Sequence, residues 1–177
     1  MRRPTRLEIP EEPQDAARAA YTLALRWLSM RELASGGIRK RLHQKGFDPG
    51  TIEAVVTRLT ANRAIDDDRA ARACARTLVL VKKRGRQRAQ RELETMGFAP
   101  GLARGVLADV IGDEDEQAMA TRLLAARLRG ARSIANPAAY QRLYGMLVRR
   151  GFSPAIVRNT LKPFWKRGVD VPETDAD

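Results

Sequence analysis

Histidine, cysteine and aromatic residues are scarce in this chain of 177 residues, which has one His, one Cys and 5% Phe, Trp and Tyr. A lone cysteine forms no internal disulfide, so the fold needs no oxidising compartment. Cys74 falls in an apolar stripe and reads as a packed thiol, although Arg72 and Arg76 beside it would make it mildly reactive. His43 stands between Leu42 and Gln44 with Lys45 next to them. General-base work needs a positioned partner and zinc needs a His/Cys cluster, so His43 reads as a surface side chain. No apolar run approaches the roughly 18 residues that would cross a bilayer. Arg2, Arg3 and Arg6 are followed by Pro-Glu-Glu-Pro, which is no signal peptide, and the reading is soluble and cytoplasmic. Neither G-x-x-x-x-G-K-[ST] nor G-x-G-x-x-G occurs, so nucleotide hydrolysis is not expected. The carboxylates of Asp66, Asp67 and Asp68 are consecutive at a helix start and diverge, which favours capping over a metal site. The chain reads as a non-enzyme without metal or cofactor.

What is abundant is positive charge. Lys and Arg number 33 against 21 Asp and Glu, for a net charge of +12 and a pI near 10.9. The cations run throughout, while acids gather at Asp66–Asp68, Asp113–Glu116 and Glu173–Asp177. A folded protein this basic suits a polyanionic partner, most often nucleic acid. The alternative is a solvated basic surface. At 44% apolar the chain can still build a core.

One short phrase occurs three times: Leu42–Lys45–Gly46–Phe47–Pro49, Leu93–Met96–Gly97–Phe98–Pro100 and Leu147–Arg150–Gly151–Phe152–Pro154. Its glycines are 51 and 54 residues apart, the mark of a tandem array. Gly follows a helix where a left-handed residue ends it, Phe folds back on that helix, and Pro opens the next. Asp48 and Ser153 can cap the helix that follows, whereas Ala99 cannot.

Periodicity fills in the rest. Residues 1–13 read as a disordered arm, and a helix runs from about Asp15 to Arg31, so widely apolar that it should be buried on more than one side. Helices follow at about Gly37–Lys45 and Pro49–Asn62, the latter with Ile52, Val55, Val56 and Leu59 as its core stripe. Asp66 caps the next long helix, whose stripe is Cys74, Leu78 and Val81 and whose stop is Gly85. Further helices span about Arg86–Met96, Pro100–Ile111, the acids at 113–116 to Arg129, a segment opened by Asn136-Pro137, and Pro154–Lys162. No period-two alternation is sustained. The expected fold is all-α: three tandem three-helix repeats at 14–63, 64–112 and 113–168, stacked into an elongated, curved array, with an acidic flexible tail at 169–177.

The middle helix of each repeat carries cations: Arg39, Lys40 and Arg41; Arg84, Arg86, Arg88 and Arg91; Arg142, Arg149 and Arg150. Arg84, Arg88 and Arg91 share a face apart from Ala89, Leu93 and Met96, which leaves them open to a partner. Repetition would align such groups into a stripe suited to a charged backbone or groove. Arginine outnumbers lysine, which suits bidentate contacts. Few aromatics remain for stacking on bases, so weak, salt-sensitive, sequence-independent nucleic-acid binding is expected. An ordinary solvated face is the alternative.

Taken in order, these motifs resemble the RecX family of bacterial regulators of the RecA recombinase. The resemblance covers about 24–161. It includes Ala24-Leu25-Arg26-x-Leu28, Arg41-Leu42-x-x-Lys45-Gly46-Phe47-Asp48, Ile52-Glu53-x-Val55, Ile65-Asp66-Asp67-x-Arg69-x-Ala71, Arg84-Gly85, Arg91-Glu92-Leu93 and Gly97-Phe98. The chain departs from the family at Ala34-Ser35-Gly36-Gly37-Ile38, where a Ser-x-x-Glu-Leu capping box is usual, and at Ala70, where an aromatic is common. Two glycines at that helix start should fray it by roughly 1 kcal/mol each. The resemblance implies a monomeric, non-catalytic protein that binds RecA or the RecA–DNA filament and limits its ATP hydrolysis, growth and strand exchange in homologous recombination and repair. The alternative is a general DNA- or RNA-binding helical array without a recombinase partner.

Overall fold

The computed structural model describes residues 9–10, 12–112, 116–130, 133–134 and 136–165. Nine α-helices and no strand form among the described residues, an all-α array of helical repeats. The chain gathers into two compact units, Met1–Cys74 with Leu93–Ala103 and Ala75–Glu92 with Arg104–Asp177. The tail expected at 169–177 and most of the arm expected at 1–13 lie outside the described residues. Within that arm, Ile9 packs on the core of the first unit.

In the first unit, α1 (Pro13–Met30), α2 (Ser35–Lys45) and α3 (Pro49–Ala61) surround Ile38, Leu42, Val55, Val56 and Leu59. Pro13 and Pro49 start their helices with a preset φ. Asp48 caps α3 by accepting from Thr51 N–H at 2.9 Å, and the Thr51 side chain first, with that N–H second, holds its carboxyl below the usual range. The α1 helix packs on α3 through Ala16, Ala20 and Ala24, whose small side chains permit close approach. One face satisfies it. Leu25 and Met30 stay exposed, contrary to the expectation of burial on several sides. Tyr21 and Trp27 lie half-buried under Arg58 and Arg41, at 4.4 and 5.6 Å from their ring centroids.

The remaining helices are α4 (Asp67–Arg76), α5 (Arg86–Met96), α6 (Pro100–Gly112), α7 (Glu116–Leu128), α8 (Pro137–Arg150) and α9 (Pro154–Leu161). In the second unit α9 packs on both α7 and α8, as α3 packs on α1 and α2 in the first. Asn136 caps α8 through Ala139 N–H at 2.9 Å, and Ser153 caps α9 through Ile156 N–H at 3.3 Å. Asp66 accepts from Arg69 N–H at 2.9 Å, the expected cap of the fourth helix.

The recurring phrase has one geometry throughout. Gly46, Gly97 and Gly151 take φ of 94°, 100° and 94°. Their N–H groups donate to His43, Glu94 and Val148, and the next Phe N–H donates to Leu42, Leu93 and Leu147 at 3.2 to 3.3 Å. These paired bonds satisfy the last carbonyls of each helix. Each Leu and each Phe is buried.

One stripe differs from expectation. After α4 the backbone takes a π-helical turn over Thr77–Val81, with Lys82 N–H donating to Thr77 O at 2.9 Å. The extra residue rotates the register. Leu78 and Val79 are buried, whereas Val81 is 74% exposed. The left-handed residue that follows is Lys83, with φ of 53°, so Gly85 is not the stop. No helix among the described residues is long and apolar enough to cross a membrane.

Candidate partner-binding surface

The middle helices carry the predicted cations, so what anchors those helices decides where the cations point. In the first unit α2 begins beside an acid from far along the chain. Asp67 accepts from Ser35 N–H at 2.8 Å and from the Ser35 hydroxyl at 2.6 Å, and so caps α2 from outside. Gly36 and Gly37 stand against the carbonyls of Gly97 and Met96, close enough that no Cβ fits. The expected fraying of this end is therefore overturned: the glycines permit a contact that fixes it.

The second unit repeats the device. Glu116 accepts from Arg86 N–H at 2.9 Å at the start of α5. Gly85 N–H donates to Arg150 O at 2.8 Å and Gln87 N–H to Gly151 O at 3.2 Å. A Cβ on Gly151 would fall 2.3 Å from that of Arg88. In both units the start of one middle helix docks on the Gly-Phe turn that ends the next.

Several predicted site residues serve these joints. Arg39 makes a two-pronged ion pair with Glu53 at 2.8 and 3.0 Å and also reaches the Ser35 hydroxyl at 3.0 Å. The Glu53 bond raises the Arg39 pKa, and Arg39 in turn lowers that of Glu53. Arg86 lies 3.6 Å from Glu116 through its side chain. Arg88 donates to Arg149 O at 2.7 Å and to Glu92 at 2.8 Å, and Arg150 donates to Lys82 O at 2.7 Å. Arg84 lies 3.1 Å from the same Glu92 oxygen through a buried Nε that makes no well-aimed hydrogen bond. This is a charge contact, and Arg84 acts on Glu92 through its charge. Burial pushes the Glu92 carboxyl up, but the Arg88 bond and the charges of Arg84, Arg88 and Lys82 outweigh it and leave it below the usual range.

Arg84 and Arg88 are therefore not open to a partner in the way their spacing suggested. Lys40, Arg91, Arg142 and Arg149 are exposed, and Arg41 is half-buried over Trp27. Lys40 and Arg41 meet Arg31 around a cleft of about 460 Å³ that also takes in Cys74, Met96 and Phe98. Arg142 and Arg150 face separate hollows that each include Arg127. Sequence reasoning passed over Arg31 and Arg127 because it sought cations only on middle helices. Their signal was an arginine beside apolar residues that no core stripe absorbs. His43 is exposed, and the three aspartates diverge: Asp66 caps α4, Asp67 caps α2 and Asp68 pairs with Arg72 at 2.8 Å.

Residues 20–59 match the family model for the first three-helix domain of RecX, and residues 113–161 match that for its third. A protein named Regulatory protein RecX from Geobacillus thermodenitrificans is 30% identical over 144 residues, covering 81% of this chain and 53% of that protein. The chain thus spans about half the length of that relative. One of the same name from Trichlorobacter lovleyi is 31% identical over 142 residues, covering 78% and 90%. The crystal structure of RecX from Lactobacillus salivarius has a TM-score of 0.68 at 18% identity, covering 84% of this chain and 96% of the other. A second crystal structure, of regulatory protein RecX, has 0.70 at 22%, covering 84% and 74%. At such identities the likeness establishes the fold alone.

Proposed function

Since this chain belongs to the RecX family of regulatory proteins, we propose that it binds RecA or the RecA–DNA filament and restrains ATP hydrolysis, filament growth and strand exchange. It does so in the cytoplasm, as a monomer and without catalysing a reaction. The observation that carries this reading is the match of both the first and the third three-helix domains to the family. A net charge of +12 supports it physically, because a filament offers both phosphates and acidic protein. The repeats at 14–63, 64–112 and 113–168 are the modules that present Lys40, Arg41, Arg91, Arg142 and Arg149 to the partner. Arg39, Arg84, Arg86, Arg88 and Arg150 act in this reading by holding the modules' joints.

Titration of the chain into RecA hydrolysing ATP on single-stranded DNA tests the proposal. Inhibition below one chain per RecA is the expected result, and unchanged hydrolysis at every ratio and moderate salt overturns it. The exposed guanidinium groups favour one competing reading, a general DNA- or RNA-binding array. Tight, steeply salt-dependent binding to nucleic acid with no recovery of RecA in pull-downs would select that reading.

A further inference from the structure

The α7 helix buries Met119, Ala120 and Leu124 in the core of the second unit and leaves Leu123 half-buried and Ala126 exposed beside them. These two residues lie off the core stripe, and a furrow opens over them. Its first hollow, about 260 Å³, has Val79, Met119 and Phe152 with Leu123 and Ala126. Its second, about 400 Å³, shares Leu123 and Ala126 and adds Met146. Its third, about 320 Å³, shares Arg127 with the second and adds Leu128, Ile134 and Leu143. The shared residues make the three hollows neighbours along α7, each with apolar side chains in its lining.

The rim is of one sign. Lys83, Arg122, Arg127, Arg142 and Arg150 border the three hollows, and no Asp or Glu among the described residues lines any of them. Lys83, Arg127 and Arg142 pair with no carboxylate among the described residues. Cations alone would suit a nucleic acid, but the floor would not. Its ring is that of Phe152, which is buried and cannot stack on a base. An apolar floor stabilises only an occupant that brings apolar side chains.

We propose that the α7 furrow docks an amphipathic helix of a protein partner, with Leu- or Phe-like residues on one face and Asp or Glu flanking them. Apolar anchors at i, i+3, i+4 and i+7 fill the hollows, and the flanking carboxylates meet the rim. This deepens the reading that the chain regulates by binding another protein, and it names the surface that does so.

The test uses the full chain and a fluorescein-labelled 16-residue peptide with Leu at i, i+3, i+4 and i+7 and Glu between. A scrambled peptide of the same composition and a labelled single-stranded oligonucleotide serve as controls, all read by anisotropy. The variants are Ala126→Trp, which fills the exposed floor without changing charge, and Arg127→Gln. Expected are at least tenfold tighter binding of the patterned than of the scrambled peptide, and at least tenfold loss on Ala126→Trp. Affinity for the oligonucleotide should stay within twofold, with an unchanged circular dichroism melt. Equal binding of both peptides overturns the proposal, and so does peptide binding indifferent to both variants. Equal losses for peptide and oligonucleotide overturn it in favour of a nucleic-acid groove. Self-association relieved by Ala126→Trp in sedimentation overturns it in favour of a second copy. The RecA hydrolysis assay is read separately: failure of the wild-type chain there removes the regulatory reading, while the peptide titration still decides the furrow.

Discussion

Gly36 and Gly97 meet backbone to backbone: a Cβ added to Gly36 would lie 2.3 Å from Gly97 O, and one added to Gly97 would lie 2.3 Å from Gly37 N. The repeated glycine thus has two tasks, a left-handed helix end and an approach too close for any side chain. The same pairing recurs between Gly85 and Gly151 in the other unit.

Gly97→Ala should therefore destabilise by at least about 2 kcal/mol, combining the left-handed penalty with the displaced backbone. Gly101 provides the contrast, since it is in α6 with nothing within 4 Å of an added Cβ. Gly101→Ala should be neutral or stabilising by up to about 1 kcal/mol. Urea denaturation of both variants checks this, and similar losses at the two sites would refute the close-approach account.

The Glu92 carboxylate, shared by Arg84 and Arg88, predicts a pH signature. Its pKa is held below the ordinary glutamate value of about 4.3 in the folded chain. Such a group contributes its stability above the unfolded pKa and loses it as pH falls through the folded one. Glu92→Gln should cost about 1–2 kcal/mol at pH 7, because Arg84 and Arg88 lose their common partner. The gap between variant and wild type should narrow by pH 3. Denaturant melts at the two pH values decide it, and a constant gap would place the loss elsewhere.

What could be read from sequence was what is local. Asp48, Asn136 and Ser153 cap helices that start one residue later, and the Gly-Phe turns close bonds within six residues. Asp67 and Glu116 cap helices 32 and 30 residues earlier in the chain, and no short-range pattern announces that. Gly36-Gly37 looked like a weak helix start for the same reason, since its justification is a turn about 60 residues on. The ion pairing within the arginine stripe was missed because i, i+4 spacing also aligns Arg88 with Glu92 on one face. Ala70, where the resemblance led to the expectation of an aromatic, is buried.

The π-helical turn offers a test on neighbouring valines. Val79 is fully buried and Val81 is exposed, the reverse of what an uninterrupted helix through Cys74 and Leu78 would give at position 81. Val79→Ala should destabilise by about 2 kcal/mol and Val81→Ala by no more than about 0.5. Thermal melts of the two variants suffice. A larger loss at Val81 would mean the helix runs on without the extra residue.

Exposed cations and joint cations should separate under mutation. Lys40, Arg142 and Arg149 are exposed, and replacing all three with Gln removes charge without removing an ion pair among the described residues. The melt should move little, while affinity for single-stranded DNA falls. The slope of log affinity against log salt should shrink by roughly 0.7 for each phosphate that the variant no longer neutralises. Arg88→Ala should behave in the opposite way. It takes from Glu92 the better bonded of its two guanidinium partners, leaving Arg84 alone, and from the Arg149 carbonyl its guanidinium donor, so it should lower stability by about 1–3 kcal/mol. Its effect on binding at a temperature where it remains folded should be small. If the triple variant binds DNA with an unchanged salt slope, those side chains form a solvated face and nucleic acid is held by other cations of the chain.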